Sequence, residues 1–554
     1  MKRITLTLCI AVLACTAVHA EESFLKGKIL KIDLKDVITE RGGSNLNFSL
    51  NGINIGTSVS LLGFERALEE AATDDKVAMI YLNTDHFSAS MAGMEEIREY
   101  LKRFSAKGKP VVAYGADFSN SSYYIASTAD RIFLYPKGSG TLTGLSTTQF
   151  FLKDALDAVG IDVQLIRHGK YKSAGEMYIR NDISPENREQ YEVLFNSLWG
   201  SMLDEIAQSR GIKTEDLVSW IDNLEINTAD TWLAKGLIDG LKYRDEMEKY
   251  LCNLFGKTKA DEVKVVTIQD YMKALKKGPS DKKIAVIYAD GEIVRSGGEV
   301  VGDKLSNMIA KVRKDSTVKA VVFRVNSPGG EVVAADMIRR EIEVLQQYKP
   351  VIASYGSYAA SGGYLISAGC DRIFVDNTTL TGSIGVFGMV PSYGNAIKKN
   401  LKINPVTIGT NKHSAMGSGM QPLNEEEQAW YQREIEGIYE DFVGVVASGR
   451  SVTKEYVDSI AQGRVWSGKD ALDIKLADEK GTLMEAIEYA ADKVKLKKYR
   501  IQPIPEEKSL FRQMKDGESG KKDSPLVKSL TEPGFKAMAI LPFIPEETIK
   551  SLTK

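Results

Sequence analysis

The feature that most constrains this sequence is an internal repeat. Residues 109–148 read KPVVAYGADFSNSSYYIASTADRIFLYPKGSGTLTGLSTT, and residues 349–388 read KPVIASYGSYAASGGYLISAGCDRIFVDNTTLTGSIGVFG. Alignment of the tyrosines that the copies share places Asn120 opposite Ser361. Similarity over this length indicates two copies of one structural unit. Because only the second copy contains Ser-Gly-Gly, we expect the chemistry to be concentrated in the second half.

The repeated pattern predicts an α/β fold made of two modules. In each half, apolar β-rich runs alternate with amphipathic helical segments, which is typical of modules with mainly parallel strands. The length of 554 residues is also too great for a single hydrophobic core. The predicted division is a leader at 1–20, an N-terminal module at 21–272, a linker at 273–283, a C-terminal module at 284–500 and a tail at 501–554 without a counterpart.

The N-terminus has the pattern of a secretory signal peptide. Two basic residues precede an uncharged apolar run from Ile4 to Val18, which ends at a small-residue site before an acidic pair. The run is shorter than the roughly 20 residues that a membrane-spanning helix needs. We therefore expect cleavage after Ala20, with an uncleaved short anchor or lipid attachment at Cys15 as alternatives. Each of these predicts an exported protein.

Composition excludes several classes of partner and cofactor. A formal net charge of -2 gives no reason to expect nucleic acid binding. Outside the leader the cysteines are Cys252 and Cys370, which lie in different modules, so the sequence leaves open whether they pair. The histidines are dispersed without the spacing of a zinc site, and we predict neither a metal nor another cofactor. The four positions are His19, His86, His168 and His413.

A glycine-containing turn follows a predicted strand of the second module. Residues 326–330 read Asn-Ser-Pro-Gly-Gly, in which the glycines can leave backbone N–H groups facing a ligand. An ordinary tight turn is the alternative. The corresponding residues 83–87 of the first half lack the glycines, although a turn needed only for folding should persist in both copies. We therefore predict that Gly329 and Gly330 contribute to an oxyanion hole.

Ser361 is the predicted nucleophile. It lies in Ala-Ala-Ser-Gly-Gly-Tyr between a predicted strand and a predicted helix, where small neighbours let a substrate backbone approach the hydroxyl. The N–H of Gly362 is positioned in sequence to serve as a second oxyanion donor. Ala359 distinguishes the motif from the Gly-x-Ser-x-Gly elbow of α/β-hydrolases. The alternative is a serine that only caps a helix.

The residues alone leave the base undecided. Candidates are Lys170, Lys172 and His168 in the first module and His413 in the second. A lysine can act as a general base only if burial or a neighbouring cation lowers its pKa toward neutrality. A charged run such as 167–172 is more often a solvated surface.

The motifs together resemble a known family. Asn-Ser-Pro-Gly-Gly, Ala-Ala-Ser-Gly-Gly-Tyr, Leu-Thr-Gly-Ser-Ile-Gly and Gly-x-Tyr-Lys-Ser-Ala, in an exported duplicated chain, look like the long form of the signal peptide peptidase A family, also called protease IV. The resemblance implies a Ser/Lys dyad of Ser361 and Lys172, with Ser383 orienting the lysine amine. The fold it implies is that of Clp protease and crotonase, with β-β-α superhelix units.

The resemblance also implies partners and a location. Expected substrates are cleaved signal peptides and other extended hydrophobic segments, and the expected assembly is a homotetramer at the membrane surface. The expected location is the periplasmic face of the inner membrane, anchored or peripheral, although the leader is shorter than is usual in the family. Two other functions remain as alternatives: a catalytically silent peptide-binding scaffold, and acyl-CoA chemistry, which the secretory leader opposes.

Overall fold

The computed structural model describes most of the chain outside the two termini. The predicted leader, including Cys15, and much of the predicted tail lie outside the described residues. The described ranges are 24–33, 37–49, 52–85, 89–275, 280–505 and 538–540.

The N-terminal module is built around a parallel sheet in the order β10-β1-β5-β6-β7-β9, with a smaller sheet β2-β4-β3. The strands are β1 (Lys28–Asp33), β2 (Val37–Thr39), β3 (Gly43–Ser49), β4 (Gly52–Ser60), β5 (Val77–Asn83), β6 (Val111–Phe118), β7 (Arg131–Gly140), β8 (Asp162–His168), β9 (Gly240–Leu241) and β10 (Val265–Thr267). The helices are α1 (Leu61–Thr73), α2 (Met91–Ala106), α3 (Asn120–Ala126), α4 (Lys153–Val159), α5 (Glu176–Ile179), α6 (Pro185–Arg210), α7 (Thr214–Asp222), α8 (Ala229–Ala234), α9 (Arg244–Leu254) and α10 (Ile268–Ala274).

The C-terminal module has a corresponding sheet in the order β20-β18-β16-β14-β11-β22, extended by β17 and β21. Its strands and the last described strand are β11 (Lys283–Asp290), β12 (Ile293–Val294), β13 (Val300–Val301), β14 (Val318–Ser327), β15 (Gly329–Glu331), β16 (Val351–Ala360), β17 (Arg372–Val375), β18 (Leu380–Gly382), β19 (Val386–Ser392), β20 (Val465–Ser467), β21 (Glu479–Lys480), β22 (Arg500–Ile504) and β23 (Met538–Ile540). The helices are α11 (Gly302–Lys314), α12 (Val332–Gln346), α13 (Gly362–Leu365), α14 (Gly394–Ala396), α15 (Glu425–Arg450), α16 (Lys454–Ile460), α17 (Gly468–Asp473) and α18 (Leu483–Lys493).

Local sequence explains the main elements. The apolar run of β11 is buried along nearly its whole length, as expected for a central parallel strand covered on both faces. Helix α15 begins at a capping box in which Asn424 and Glu427 satisfy each other's backbone N–H groups. The sheet positions the site because β14 and β16 both end at its carboxyl edge, where residues 328–330 and Ser361 follow.

Matching contacts in the two modules confirm the predicted duplication. The Tyr123 hydroxyl donates to the Leu237 carbonyl at 2.7 Å, and the Tyr364 hydroxyl donates to the Leu476 carbonyl at 2.9 Å. Equivalent side chains therefore make equivalent bonds in both copies. The α/β fold of tandem modules with parallel sheets agrees with the sequence prediction.

The structure also revises details of the predicted organisation. The predicted boundary at residue 500 falls within β22, which pairs in parallel with β11 as an edge strand of the second sheet. Strand β16 ends at Ala360 and leads directly to Ser361. The thiols of Cys252 and Cys370 are free and buried, which answers the question of pairing.

One sheet combines both modules and the tail. Its order is β13-β12-β15-β23-β19-β8, in which β8 comes from the N-terminal module and β23 from the predicted tail. Strands β8 and β19 pair antiparallel over their full lengths, from Val386 opposite His168 to Ser392 opposite Asp162. The modules are thus joined by main-chain hydrogen bonds. Within the described ranges, the helices are all too short or too polar to cross a bilayer.

Candidate active site

Ser361 lies at a strained turn between β16 and α13. Its φ of 54° and ψ of -118° place a non-glycine residue in a region that L-amino acids rarely adopt. Strain of this kind costs on the order of 1–3 kcal/mol and is typical of functional sites. The Ser361 N–H donates to the Gly382 carbonyl at 2.8 Å, which fixes the turn against β18. The side chain is fully buried in the structure.

Packing explains why the Ser-Gly-Gly motif ends in a glycine. A Cβ on Gly363 would lie 2.5 Å from the Ser327 carbonyl oxygen, which is closer than real contacts allow. The end of β14 and the start of α13 therefore approach each other only because residue 363 has no side chain. This approach brings the Pro-Gly-Gly turn beside Ser361.

Lys172 reaches the site from the loop that follows β8. Gly169, with a φ of 100°, turns the chain, and the Tyr171 N–H then donates to the Gln462 carbonyl at 2.9 Å. The Arg167 guanidinium donates to the Lys172 carbonyl at 2.8 Å and closes the loop. The pairing of β8 with β19 thus aims Lys172 into the C-terminal module.

The Lys172 amine and the Ser361 hydroxyl are in hydrogen-bond contact. Nζ lies 2.8 Å from Ser361 Oγ, and neither side chain is exposed. Nζ also donates to the carbonyl oxygen and to Oγ of Ser383, both at 3.0 Å. The amine therefore has three oxygen partners within hydrogen-bond distance.

Burial changes the proton affinity of this amine. Desolvation lowers the pKa of Lys172 well below its ordinary value, because an ammonium loses its hydration inside the protein. The oxygen partners at Nζ are hydroxyls and a carbonyl rather than carboxylates, and uncharged groups offset little of this loss. The environment thus favours the neutral amine, which is the form that can accept a proton.

Ser383 is held in place by the loop at 461–464. Its φ is 48°, and its N–H donates to the Arg464 carbonyl at 2.7 Å. The Gly463 N–H donates to the Ile384 carbonyl at 2.8 Å, so the two loops bond on both sides of Ser383. This arrangement keeps both oxygens of Ser383 directed at the lysine.

The glycine turn is adjacent to Ser361. Gly329 has a φ of 103°, and its N–H donates to Ser327 Oγ at 3.2 Å. A Cβ on Gly330, whose φ is 155°, would lie 1.9 Å from the Ile293 carbonyl oxygen. Both positions therefore require glycine. Gly362 follows Ser361 directly and is the first residue of α13.

The other candidate bases lie elsewhere. The His168 ring stacks on the Tyr439 ring with a centroid distance of 3.8 Å. His413 Nδ1 lies 2.9 Å from the Glu427 carboxylate, and Lys170 Nζ lies 5.0 Å from the centroid of the Tyr171 ring. Of the four candidates that the sequence left open, Lys172 is the one found in contact with Ser361.

The first module has a structural residue where the second has Ser361. The Asn120 side chain donates to the Gly144 carbonyl and accepts from the Thr143 N–H, each at 3.0 Å. An amide that bonds backbone groups on two sides fixes a loop. The equivalent position of the first copy therefore acts in folding.

Gly463 is a further residue of the site that the motifs above do not include. It has a φ of 80°, and a Cβ there would lie 2.6 Å from both Cβ and the backbone nitrogen of Lys172. The signal was present in the repeat, because the equivalent residue of the first copy is Leu224 when Thr228 is aligned with Ser467. A glycine kept only in the copy with the serine indicates a close approach that only this copy needs.

The sequence of the chain is similar to those of known proteins. The model of the family described as Peptidase family S49 matches the chain twice, at residues 103–255 and 343–497. Protease 4 of Haemophilus influenzae is 35% identical over 457 residues, which is 80% of this chain and 74% of that protein. The chloroplastic serine protease SPPA of Arabidopsis thaliana is 33% identical over 484 residues, or 85% of this chain and 70% of that protein. A solved structure of a ClpP1 mutant from Listeria monocytogenes aligns with 37% of this chain and 95% of its own, at a TM-score of 0.25 and 16% identity.

Proposed function

Because the chain belongs to peptidase family S49 and is a serine-type peptidase, we propose that it is an endopeptidase with Ser361 as nucleophile and Lys172 as general base. The observation that carries the proposal is the 2.8 Å contact between Lys172 Nζ and Ser361 Oγ. A nucleophile within hydrogen-bond reach of a base that a third group orients is the arrangement that covalent catalysis requires.

The contacts of Nζ suit a neutral amine. A neutral lysine has two N–H donors and one lone pair. If the donors bond to the carbonyl and the hydroxyl of Ser383, the lone pair faces the Ser361 hydroxyl. Ser383 would then act as a positioning residue that selects the orientation in which the base can accept a proton.

The proposed reaction has two stages. Lys172 accepts the Ser361 proton as Oγ attacks the peptide carbonyl carbon, and the resulting ammonium gives that proton to the departing amine. Lys172 then takes a proton from water, the hydroxide attacks the acyl-enzyme ester, and the proton returns to Ser361 as the ester breaks. One residue thus serves as base and acid in turn.

The oxyanion of each stage needs N–H donors. We assign this role to Gly362 and to the turn that contains Gly329 and Gly330. The Gly329 N–H donates to Ser327 Oγ in the structure, so it would serve the oxyanion after releasing this bond. Loss of one such donor typically lowers kcat by about 100-fold or more.

The proposed substrates are cleaved signal peptides and other hydrophobic segments. The motif resemblance supports them, and so does the apolar cluster beside the lysine loop, where Ala174, Tyr178 and Phe387 pack together. Extended peptides can bind by adding a strand to an exposed sheet edge, and their alternate side chains then enter such pockets.

The place of action and the assembly are also part of the proposal. The secretory pattern of the leader supports export, and the motif resemblance supports action at the periplasmic face of the inner membrane, anchored or peripheral. The same resemblance supports a homotetramer as the working assembly. These features would bring hydrophobic peptides to the site as they leave the bilayer.

Incubation with a synthetic hydrophobic signal peptide, followed by mass spectrometry, tests the proposal. We expect internal cleavage by the wild-type protein and a loss of about 100-fold or more in Ser361→Ala and Lys172→Ala. Asn120→Ala, at the equivalent position of the first module, is the matched control and should retain cleavage. A fluorophosphonate probe should label the wild type and leave Ser361→Ala unlabelled.

The alternatives give different results in the same experiment. A catalytically silent scaffold would bind the peptide without forming products. If Lys172→Ala kept wild-type turnover while His413→Ala abolished it, the dyad would be wrong and a histidine-based site would replace it.

A further inference from the structure

The loop from Gln462 to Arg464 holds the proposed base and the serine beside it at the same time. The Gln462 carbonyl accepts from the Tyr171 N–H at 2.9 Å, and the Arg464 carbonyl accepts from the Ser383 N–H at 2.7 Å. Tyr171 directly precedes Lys172, and Ser383 bonds to the Lys172 amine. The position of the amine relative to its oxygen partners therefore depends on where this loop lies.

The backbone of this loop is strained. Gln462 has a φ of 54° and the next residue, Gly463, has a φ of 80°, so two successive residues lie in the left-handed region. A non-glycine residue in that region costs free energy, which contacts with the surrounding structure must offset. The loop therefore needs anchors outside itself to keep its shape.

Helix α6 of the N-terminal module supplies two anchors. The Gln190 side chain is buried, and its Oε1 accepts from the Val465 N–H at 2.8 Å. The neighbouring Glu189 carboxylate accepts from Arg464 Nη1 and from the Tyr171 hydroxyl, each at 3.1 Å. One helix of the first module thus bonds to a loop of the second module on both sides of the backbone turn.

The Arg464 side chain connects these contacts. The central carbon of its guanidinium lies 4.9 Å from the centroid of the Tyr171 ring and 4.5 Å from the centroid of the Trp466 ring. Nη1 also lies 3.3 Å from the Tyr171 hydroxyl oxygen. The Arg464 side chain is 17% exposed, so two aromatic rings and the Glu189 carboxylate surround most of the guanidinium.

The repeat shows that the fold itself does not require this arginine. When Thr228 is aligned with Ser467, the residue equivalent to Arg464 is Glu225, which has the opposite charge and pairs with Lys235. A side chain needed only to form the turn should persist in both copies. The arginine stands in the copy that carries the proposed nucleophile.

From these contacts we propose that Arg464 is a positioning residue: held by Glu189 and Tyr171, it fixes the loop that aligns the proposed base with the proposed nucleophile. The inference rests on the proposed Ser/Lys dyad for the meaning of this alignment. Arg464 acts through its own carbonyl, which holds Ser383, and through Tyr171, which precedes the base. Its loss should therefore affect the chemical step more than the binding of the peptide.

A role in positioning changes different quantities from a role in folding. The Glu189 carboxylate is 51% exposed, and an ion pair of this kind contributes little to the free energy of unfolding. A small displacement of the base, in contrast, lowers the rate of the chemical step. Removing the contacts of Arg464 should therefore lower kcat while the melting temperature changes little.

The experiment compares Arg464→Met and Glu189→Gln with the wild type on a hydrophobic peptide. We expect kcat to fall about tenfold in Arg464→Met and less in Glu189→Gln, with KM unchanged in both. Arg464→Lys keeps a donor for the same oxygen atoms and should recover most of the lost kcat. Glu189→Gln preserves the size of its side chain, so it carries the test if Arg464→Met folds poorly.

Arg103→Met is the matched control. Arg103 also forms an ion pair between the modules, with Glu485, and the two side chains are 33% and 34% exposed. This variant should keep the wild-type kcat, and its melting temperature should change about as little as that of Arg464→Met. The comparison separates the position of the pair from the mere loss of an ion pair between modules.

The pH profile of kcat/KM distinguishes positioning from a direct effect of charge. Burial lowers the pKa of Lys172, and a loosened loop would admit water and raise this pKa toward its ordinary value. The midpoint of the acidic limb should therefore move to higher pH in both Arg464→Met and Glu189→Gln. Through charge alone, removal of the carboxylate would lower the pKa of the amine and move the midpoint the other way. The charged side chains of the lysine loop, Arg167 and Lys170, are the same in every variant.

Two further measurements complete the test. If Arg464 and Glu189 act as one unit, the double variant should have the kcat of Arg464→Met alone rather than the product of the two losses. Hydrogen exchange of the segments that contain the Tyr171 and Ser383 amides should be faster in both single variants and unchanged in Arg103→Met. Exchange does not depend on turnover.

Equal kcat values in Arg464→Met and Arg103→Met, or unchanged exchange at the Tyr171 and Ser383 amides, would overturn the inference. Faster exchange with kcat and the pH midpoint unchanged would overturn it as well, because the arginine would then hold the loop without serving the reaction. Failure of the Ser/Lys dyad would appear instead as retained cleavage in Lys172→Ala, so the two proposals fail in separate experiments.

Discussion

Arg324 of the C-terminal module and Glu96 of the N-terminal module form an ion pair of 2.6 Å in which both side chains are fully buried. The Arg324 guanidinium also donates to Glu40 at 2.8 Å, and Glu96 accepts from the Leu483 N–H at the same distance. Arg324 belongs to β14, the strand that leads to the glycine turn. The pair therefore helps to fix the modules in the relation that brings Lys172 to Ser361.

Replacing Arg324 by methionine should destabilise the protein strongly. The change leaves the buried carboxylates of Glu40 and Glu96 without their cation, and the breaking of a buried pair typically costs about 3–5 kcal/mol. Arg372→Met is the control, because the side chains of its pair with Glu479 are 37% and 45% exposed, and such a pair should contribute at most about 1 kcal/mol. Thermal unfolding measures both variants. Equal decreases in melting temperature for the two variants would show that the buried ion pair contributes no more to stability than the exposed one.

Activity should increase with pH across the range in which Lys172 loses its proton. Burial lowers the pKa of Lys172, so the neutral base is available at a lower pH than for a lysine in water, and activity falls as the amine becomes protonated. The pH profile of kcat/KM for a hydrophobic peptide should therefore show an acidic limb and a neutral-to-alkaline plateau. Ser383→Ala should shift the midpoint of the acidic limb along the pH axis. Ser392→Ala, at a buried serine of β19, should leave that midpoint unchanged. A profile governed instead by His413 would disappear in His413→Ala.

Lys172→Met should change the pH dependence of stability. Because the folded-state pKa of Lys172 is lowered, the unfolded chain binds a proton that the folded chain does not, and this lysine makes unfolding more favourable at pH values below its ordinary pKa of about 10.4. The wild type should therefore gain stability relative to Lys172→Met as the pH rises toward that value. Melting temperatures of both proteins between neutral and alkaline pH provide the measurement. Parallel curves would mean that the amine is charged in the folded protein.

Gly463→Ala should lower kcat by displacing the base. A Cβ at this position would lie 2.6 Å from Lys172 Cβ, so the lysine must move, and a misplacement of about 1 Å can cost roughly 100-fold in rate. Gly108→Ala is a matched control, because Gly108 has the same φ of 80° with no heavy atom within 4 Å of the added Cβ. Both variants carry the backbone strain, and only the first contacts the site. Equal kcat values in the two would contradict the packing role.

The secondary-structure elements that the sequence predicts are those with a hydrophobic pattern in their own residues. The buried strands β11 and β14 appear in the sequence as apolar runs. The motif resemblance also selected Lys172 and Ser361, which the structure finds in contact. Patterns in the residues alone had left four bases open, because the contact joins positions 189 residues apart.

Other features depend on tertiary contacts that leave little trace in a single sequence. Strand β23 is short and is defined by its pairing with β15 and β19, so its own residues do not predict a strand. Strand β22 was assigned to the tail for the same reason, since its place in the sheet depends on β11. Gly463 is different: its replacement by leucine in the first copy is visible in the repeat.

The antiparallel pairing of β8 with β19 makes the basicity of Lys172 a property of the assembled molecule. A fragment that ends before β19 lacks the residues that exclude water from this amine. The amine would then titrate as an ordinary surface lysine. In the proposed dyad the two halves contribute unequally: the N-terminal module supplies the lysine amine, and the C-terminal module supplies both the serine hydroxyl and the water-excluding surroundings of the amine. If the proposed dyad holds, duplication followed by specialisation has left each module with one part of a site that neither module can form alone.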